Sequence, residues 1–432
     1  MVQLSKFVRA GLRRYRGQAA TNRLSAKYAE GSEAIRGAGA FSRLHPYSLA
    51  LTSTGIDNSL PRYLNLVLPE LHENGIFAGI KTAVEFAATL AAQHTVGLRL
   101  LSISNDPPTD ARARLATYVR AEFGFEGQLE ILGGASLVGA QLALNDLWLA
   151  THWTTAHSLD IACRLKVVDA SSVTYLIQDY EPGFYPWSTD YALARSTYAA
   201  GFRPVINSEP LRQFLQSSES VSVEEQFVFG PSLDFDGARR AASLRTRAQA
   251  IRILFYGRPS KPRNLFDIGV ATLALVAEDL RGRGIEATFV SAGESHPDFA
   301  LTSRDTLKSR GKLPWNDYFD LLGSSDIVLS LQHSPHPSHP PLDAVTSGAF
   351  AITNEMGGTR AGLHSRYLVS QPEPRALANQ VLDAVDRILS GEIGTFDDHF
   401  AALFGQSIRA AVAAVSADIS AVDSKNLPKE KA

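Results

Sequence analysis

Two separate series of alternating strand-like and helix-like segments constrain the fold of this sequence more than any other feature. The first series starts at Arg62 with RYLNLVLPEL, KTAVEFAATLAAQ and GLRLLSIS, and the second starts at Ile251 with IRILFYG, LFDIGVATLALVAEDLR and EATFVSAG. Such alternation is typical of βαβ units around a parallel sheet. The sequence therefore predicts an α/β protein with a parallel sheet in each half.

A polar segment at 230–249, GPSLDFDGARRAASLRTRAQ, separates the two series and has no strand pattern. We expect it to be the domain linker. The predicted organisation is a basic N-terminal extension at 1–55, an N-terminal domain at 56–235, a C-terminal domain at 250–395, and a C-terminal helix with a disordered tail at 396–432. A length of 432 residues also suits two domains better than one.

Composition excludes several classes of protein. The 42 Lys and Arg residues are balanced by 44 Asp and Glu residues, so no overall positive charge favours nucleic acid. Cys163 is the only cysteine, which excludes an intrachain disulfide and a cysteine-rich zinc module. No apolar run is long enough to span a membrane, and no signal-peptide pattern opens the chain. We therefore expect a cytoplasmic protein.

The N-terminal segment Met1–Arg36 is strongly basic and has apolar residues near helical spacing, namely Leu4, Phe7, Val8, Leu12 and Tyr15. This pattern fits a helix that binds peripherally to an anionic membrane surface, such as the inner face of the cytoplasmic membrane. It also fits a solvated basic helix, which is the commoner case.

The clearest chemical motif is YGRPSKPRN, which follows a hydrophobic strand and precedes a helix. The free N–H groups at a helix start attract anions, and Arg258, Lys261 and Arg263 can add charge-assisted hydrogen bonds to phosphate oxygens. The motif therefore indicates a diphosphate site, although three bases in a loop are more often only solvated.

A second motif, HPPLDAVTSGAFAITNEMGG, begins at His339. Pro340 and Pro341 predict the start of a helix, and Asp343 lies just inside it. An acidic side chain is the usual partner of ribose hydroxyl groups. An acidic residue in a first helical turn that complements the helix dipole is the simpler alternative.

These two motifs resemble segments of glycosyltransferase family 4. PPLDAVTSGAFAI is similar to the end of its Glu-x7-Glu signature, with Asp343 at the second acidic position, and YGRPSKPRN is similar to its Gly-Arg…Lys loop. The phrases LIQDYEPGFYPW, YALARSTY, GKLPWNDYFDLL and SPHPSHPPLD extend the resemblance, from about Arg62 to Leu389, to the WsaF-like rhamnosyltransferases.

The resemblance implies a GT-B fold, with two facing Rossmann-like domains and an active site in the cleft between them. It implies a retaining transferase that needs no metal and no cofactor, and that moves a hexose, L-rhamnose from dTDP-β-L-rhamnose, onto a growing bacterial surface glycan. Its partners would be the nucleotide sugar and a glycan or lipid-linked glycan acceptor. A UDP- or GDP-sugar donor is the closest alternative.

The resemblance also implies roles for individual residues. Arg258 and Arg263 would hold the diphosphate and support catalysis, and Asp343 would bind the ribose. The other implied donor-side positions are two lysines, one backbone position that faces the base, and one glycine of the N-terminal domain: Lys261, Lys312, Leu313 and Gly79.

One position departs from the family pattern. Pro335 stands where the first acidic residue of the signature is expected. Its role toward the donor sugar would pass to the neighbourhood of His336 and Ser338. The same departure allows a different class of protein, a catalytically inactive glycan-binding protein that kept the fold.

The loop QDYEPGFYPW after a predicted strand suits a carbohydrate acceptor. Asp179 and Glu181 offer carboxylates for sugar hydroxyl groups, and Tyr185 and Trp187 offer aromatic faces for pyranose rings. A packed aromatic loop explains this composition about as well.

Three other patterns carry little weight. The sequence DFD at Asp234 matches a short metal signature but lies in the predicted linker. His333, His336 and His339 have helical spacing for zinc, but the intervening prolines exclude a helix. Neither a Gly-x-Gly-x-x-Gly nor a Walker sequence occurs, so redox dinucleotide chemistry and NTP hydrolysis have no support.

Overall fold

The computed structural model describes residues 54–426 except 58, 73–78, 105, 138 and 247–249. The predicted extension at 1–55 therefore lies almost wholly outside the described residues, as does the predicted tail beyond 426. The chain divides into two compact units, Met1–Val205 with Arg409–Ala432, and Ile206–Ile408. Among the described residues, no helix combines the length and the apolar character needed to cross a membrane.

The first unit alternates strands and helices along the chain. Its elements are β1 (Gly55–Ile56), β2 (Tyr63–Leu68), α1 (Gly79–Gln93), β3 (Gly97–Ser102), α2 (Thr109–Phe123), β4 (Leu129–Gly133), β5 (Gln141–Leu142), β6 (Leu147–Ala150), α3 (Trp153–Arg164), β7 (Val173–Ile177), α4 (Thr189–Ser196) and β8 (Arg203–Asn207), in which the division between the units falls. The short strands β1 and β5 pair with each other outside the main sheet.

The second unit repeats this alternation. Its elements are α5 (Glu209–Glu219), β9 (Val228–Phe229), α6 (Phe235–Ser243), β10 (Ile251–Gly257), α7 (Phe266–Gly282), β11 (Ala287–Gly293), β12 (Phe299–Ala300), β13 (Thr306–Ser309), α8 (Trp315–Gly323), β14 (Ile327–Leu329), α9 (His339–Thr346), β15 (Phe350–Asn354), β16 (Tyr367–Ser370), α10 (Pro374–Leu389) and α11 (His399–Ala402). The last helix, α12 (Ile408–Asn426), carries the chain back to the first unit.

Each main sheet has one point where the strand order reverses direction. The first sheet has the order β4-β3-β2-β6-β7-β8-β9, so its reversal lies between β2 and β6. The second has the order β12-β13-β11-β10-β14-β15-β16, with its reversal between β10 and β14. The strands flanking each reversal are parallel, and the short edge strand β12 pairs antiparallel with β13. Ligands of doubly wound sheets bind beyond the carboxyl ends of the strands at such points.

Strand β10 shows how the sequence builds the second core. Ile253 and Phe255 face one side and pack with α7 and α10, while Leu254 faces the other side and packs with α6, α8 and α9. Because successive side chains of a strand point to opposite faces, a continuously apolar strand can be covered on both. This arrangement confirms the predicted α/β class with parallel sheets.

The segment predicted as a linker is partly helical and packed. Helix α6 occupies its middle and buries Ala238 and Ala241 in a core cluster that includes Phe319. The polar residues of the segment form the outer face of this helix, which is why its pattern resembles a linker. The compact units divide at Val205 and Ile206 instead.

Helix α12 lies within the segment predicted to contain a C-terminal helix, and it belongs to the first unit. Asp423 accepts a 2.9 Å hydrogen bond from Arg62, and Asp418 accepts one of 2.5 Å from Arg203. Arg62 directly precedes β2, and Arg203 is the first residue of β8. These hydrogen bonds therefore hold α12 near the amino ends of these two strands of the first sheet.

Candidate functional site

Two loops meet at the reversal point of the second sheet. One follows β10 at 258–265, and the other follows β14 at 330–338. The backbone N–H of His333 donates to the carbonyl of Arg263 at 2.6 Å, and the side-chain amide of Asn264 donates to the carbonyl of Leu331 at 3.1 Å. The residues around Arg263 are therefore fixed against the second loop at the position where this class of sheet binds ligands.

The three predicted phosphate-binding bases lie together on the first of these loops. Arg258 follows β10 directly and is partly buried, Lys261 is exposed, and partly buried Arg263 lies in a single 3₁₀ turn before α7. Leu265 begins α7 with a φ of 50° and offers no side-chain cap. The N–H groups of the first turn of α7 thus receive no side-chain cap from Leu265, and three bases lie on the loop that leads to them.

An acidic residue also reaches this loop, which the sequence did not suggest. Glu294 follows β11, and its backbone N–H donates to the carbonyl of Gly257 at 3.0 Å. Its side-chain Oε2 accepts from the backbone N–H of Ser260 at 3.1 Å. These hydrogen bonds to Ser260, with the charges of Arg258 and Lys261, lower the pKa of Glu294.

Asp343 is buried in the interior of α9 rather than projecting from its first turn. The residue is 3% exposed, and its Oδ2 accepts a 3.0 Å hydrogen bond from the hydroxyl of Tyr318. Burial raises the pKa of Asp343 to about 7, the nearby charge of Asp234 acts in the same direction, and the Tyr318 hydrogen bond opposes both. The carboxyl group therefore titrates near neutral pH.

A fully buried arginine gives the second loop its shape. Arg360 donates to the carbonyl groups of Gln332 at 3.2 Å, His336 at 3.0 Å and Asn354 at 2.6 Å, and also to that of Ser334. One guanidinium thus holds carbonyl groups of the loop and of β15. Arg360 is not recognisable from the sequence, because its only local signal is a position two residues after a Gly-Gly pair.

His336 is buried one residue after the proline that replaces the expected acid. Its Nδ1 accepts from the backbone N–H of Ser338 at 3.2 Å, so the neutral ring carries its proton on Nε2. That buried nitrogen has no hydrogen-bond partner in the described part of the chain. Burial lowers the pKa of His336 to about 3, with smaller effects from His339, Arg360 and Arg263. Ser338, at a φ of 67°, then begins α9.

The remaining donor-side positions precede α8. Lys312 is exposed and Leu313 is partly buried. Asp234 accepts a 2.7 Å hydrogen bond from the indole of Trp315 and another, of 2.8 Å, from the backbone N–H of Gly237. Asp234 is thus the N-cap of α6, and this structural role explains the first aspartate of the sequence DFD. Among the described residues, no three His, Cys, Asp or Glu side chains lie close enough to hold a metal ion.

The reversal point of the first sheet brings a histidine to the end of β6. The hydroxyl of Thr151 donates to the carbonyl of Val67 at 2.8 Å and so joins the ends of β6 and β2. His152 follows, and burial lowers its pKa to about 4. Gly79 begins α1 near this edge, where its carbonyl accepts from the side chain of Gln178 at 2.9 Å. His152 was missed because the short sequence THW has no distinctive pattern.

The loop predicted to bind the acceptor is anchored to the start of α3. Oε2 of Glu181 accepts from the backbone N–H of Trp153 at 2.5 Å, and the hydroxyl of Tyr185 accepts from the Trp153 indole at 3.0 Å. Glu181 is buried, and its carboxylate caps the start of α3 through this hydrogen bond from Trp153. Asp179 is partly buried and accepts from the N–H of Tyr180 at 2.8 Å. Both Glu181 and Tyr185 hold the loop in place.

Trp187 is the most exposed large apolar residue described, at 93%. Its ring stacks on Tyr191 with centroids 6.2 Å apart and an angle of 29° between the planes. Ser188, between them, caps α4 by accepting from the N–H of Tyr191 at 3.3 Å. The pair therefore presents the exposed ring of Trp187, stacked on Tyr191 at the capped start of α4.

Comparison with known proteins agrees with this architecture. Residues 63–209 match the family model of the WsaF N-terminal domain, and residues 251–382 match that of the WsaF C-terminal domain. Together the two models match more than half of the 432 residues. The chain is also 30% identical over 325 residues to the O-antigen biosynthesis protein RfbC of Myxococcus xanthus. That match covers 74% of this chain but only 24% of RfbC.

Solved structures share the fold at low sequence identity. The N-terminal domain of Candida albicans trehalose-6-phosphate phosphatase has a TM-score of 0.52 at 9% identity, over 84% of this chain and 97% of its own. The α,α-trehalose-6-phosphate synthase of Burkholderia multivorans has a TM-score of 0.51 at 11% identity, over 86% and 99%. The chain has a GT-B fold, and with both of its characteristic domains present it belongs to the WsaF family.

Proposed function

We propose that this chain is a retaining glycosyltransferase of family 4 that moves a hexose, L-rhamnose from dTDP-β-L-rhamnose, onto a growing bacterial surface glycan. The observation that carries the proposal is the placement of Arg258, Lys261 and Arg263 together at the reversal point of the second sheet, beside the uncapped start of α7. The match to both WsaF domains supports it, and so does the similarity to an O-antigen biosynthesis protein.

The basic loop suits the departure of a nucleoside diphosphate. When the bond between the sugar and the diphosphate breaks, negative charge grows on the phosphate oxygens. Arg258 and Arg263 can each offer two parallel N–H groups to such oxygens, and the first turn of α7 adds oriented backbone dipoles. Charge stabilised in place before the reaction lowers the barrier. The proposal assigns exposed Lys312 to the same donor and the backbone of Leu313 to its base.

The second loop and α9 would hold the nucleoside and the donor sugar. A carboxylate can accept about four hydrogen bonds, and the Tyr318 hydroxyl uses one of these positions on Asp343. The ribose hydroxyl groups would donate to the remaining acceptor positions of this carboxylate. Where related enzymes have an acid, this chain has Pro335 and then His336, which can only donate from Nε2. A hydroxyl of the donor sugar would be the acceptor of that hydrogen bond.

On the acceptor side, His152 and the Trp187–Tyr191 pair are the candidate binding groups, with Gly79 near the edge that His152 occupies. A histidine with a pKa of about 4 is a weak base at neutral pH. We therefore assign it the orientation of a hydroxyl group, and the departing phosphate would take the proton. Asp179 is the carboxylate of the acceptor loop that does not cap a helix. Segment 1–55 would bring the chain to a membrane that carries lipid-linked acceptor.

Nucleotide binding tests the proposal directly. Thermal shifts are measured with dTDP, UDP and GDP, because a ligand at 100 times its Kd adds about 2.7 kcal/mol to the free energy of unfolding. We expect stabilisation by dTDP, and its loss in Arg258→Ala with an unchanged Tm in the absence of nucleotide. Arg304→Ala, an exposed arginine of the same unit, is the control. Near-normal turnover of Arg258→Ala would refute the phosphate assignment.

Pro335 favours a second candidate, an inactive glycan-binding protein. Incubation with dTDP-rhamnose and acceptor separates the two, since a transferase releases dTDP and a lectin does not. Stabilisation by UDP or GDP, and not by dTDP, would show that the donor is a UDP- or GDP-sugar. The protein would then still be assigned as a glycosyltransferase.

A further inference from the structure

An anion of the protein already occupies the basic loop that we propose for the donor diphosphate. The carboxylate of Glu294 accepts a hydrogen bond from the backbone N–H of Ser260, between Arg258 and Lys261 in sequence. A backbone N–H in such a loop is a typical donor to a phosphate oxygen. The Glu294 carboxylate therefore makes a contact of the kind that a phosphate would make.

The backbone of β11 and its exit places Glu294 there. Gly293 has a φ of 125°, and a Cβ at this position would lie 3.0 Å from the carbonyl oxygen of Gly257 and 3.2 Å from Cγ of Arg258. The next backbone N–H, that of Glu294, donates to the same Gly257 carbonyl at 3.0 Å. This close approach requires glycine, and it brings the acidic side chain against the base of the loop.

We propose that Glu294 has two effects on this loop: it positions the Ser260 amide, and its negative charge weakens the binding of the nucleoside diphosphate. The proposal rests on the proposed function, because the ligand that it concerns is the diphosphate product. Glu294 acts as a positioning residue and a charge competitor, and it takes no part in bond breaking. A weaker product complex favours release of the nucleotide after transfer.

The two effects of Glu294 can be separated because they depend on different properties of the side chain. Positioning needs a hydrogen-bond acceptor at the length of glutamate, whereas competition needs the charge. Glu294→Gln keeps an acceptor oxygen and the length but loses the charge. Glu294→Asp keeps the charge but is one methylene too short to hold the Ser260 amide in the same way. A purely structural role would make both variants equal to or weaker than the wild type in nucleotide binding.

The test is calorimetric titration of the full chain with dTDP at neutral pH, at low and at high salt. We expect Glu294→Gln to bind dTDP about threefold to tenfold more tightly, the size expected for one like charge near an exposed site. The gain should shrink at high salt, and product inhibition by dTDP should become stronger. Glu294→Asp should bind no more tightly than the wild type. The control is Glu278→Gln, an exposed carboxylate of α7, which should leave the affinity unchanged.

The outcomes distinguish this inference from the proposed function. If Arg258→Ala weakens dTDP binding but Glu294→Gln does not strengthen it, the inference is wrong and the proposed function stands. Equal tightening in Glu294→Asp and Glu294→Gln would also overturn the inference, because the charge would then not be the cause. If the wild type binds none of dTDP, UDP and GDP, both are wrong.

Discussion

The hydroxyl of Tyr318 donates to the buried carboxyl group of Asp343 at 3.0 Å, and the pKa of that carboxyl is raised to about 7. An aspartate in an unfolded chain titrates near 3.8. Between these two values the folded protein holds a proton that the unfolded chain has lost. Stability therefore falls as pH rises from about 4 to about 7 and does not fall further on this account at higher pH.

Replacement of Asp343 by asparagine should remove this decrease in stability with rising pH. An amide oxygen can still accept from Tyr318 but carries no charge to bury, so Asp343→Asn should be more stable than the wild type at pH 8 by about 1–3 kcal/mol. The difference should vanish near pH 4. Denaturant unfolding across this range measures it, with Asp317→Asn, on the exposed first turn of α8, as the control. A difference that is constant with pH would contradict the raised pKa. Under the proposed function, Asp343→Asn should also lose affinity for dTDP.

Replacement of Arg360 should disturb the second loop and its stability together. Arg360→Met removes the guanidinium hydrogen bonds to the carbonyl groups of the loop and of β15, of which those of Gln332 and His336 keep one other donor, and we expect a loss of about 2–4 kcal/mol in the free energy of unfolding. Donor affinity should fall because His336 and Ser338 lose their support. Arg239→Met, which removes an arginine from an exposed ion pair with Asp236, should cost less than about 1 kcal/mol. A loss in Arg360→Met as small as this would show that the loop is held by other contacts.

Two glycines of α7 should respond to alanine in opposite directions. A Cβ at Gly269 would lie 2.3 Å from the ring of Phe255, so Gly269→Ala should destabilise the second unit by about 1–3 kcal/mol. A Cβ at Gly282 would meet nothing within 4 Å, so Gly282→Ala should stabilise the helix by about 0.5–1 kcal/mol. Thermal unfolding of both variants checks the pair. Equal effects would mean that α7 does not pack on β10 as described.

Truncation of Trp187 should affect acceptor binding alone. At 93% exposure the side chain contributes little to the folded core, so Trp187→Ala should keep the wild-type Tm. Under the proposed function the KM for a glycan acceptor should rise severalfold, while the affinity for dTDP stays the same. Trp187→Tyr should restore most of the loss because an aromatic face is retained. A change in dTDP affinity, or no change in acceptor KM, would remove Trp187 from the acceptor site.

Local patterns in the sequence were sufficient for the sheets and the basic loop. The strand before Arg258 and the helix after Arg263 are each recognisable from a short window, so the sequence alone locates their junction. Glu294 could not be found in this way, since its partner Ser260 is 34 residues distant. The same holds for Arg360, which bonds to carbonyl groups up to 28 residues away. Such contacts depend on which strands become neighbours, and no short window contains that information.

Helix α6 was missed for a different reason. Its buried face consists of three small residues, Gly237, Ala238 and Ala241, and the surrounding charges dominate the pattern of the segment. Asp343 shows the converse, because its position in a helix was predicted correctly while its burial was not. Asp343 is buried with Tyr318, a residue of another helix, as its hydrogen-bond partner, and the first turn of α9 gives no sign of this contact.

The return of α12 to the first unit has a consequence for synthesis of the chain. The ribosome completes all of Ile206–Ile408 before it makes Arg409–Ala432, which the first unit also contains. The first unit therefore cannot be completed until the last helix has been made. All residues of the second unit are present before that point. A chain released after Ile408 should therefore contain every residue of the second unit, together with a first unit that lacks the partners of Arg62 and Arg203.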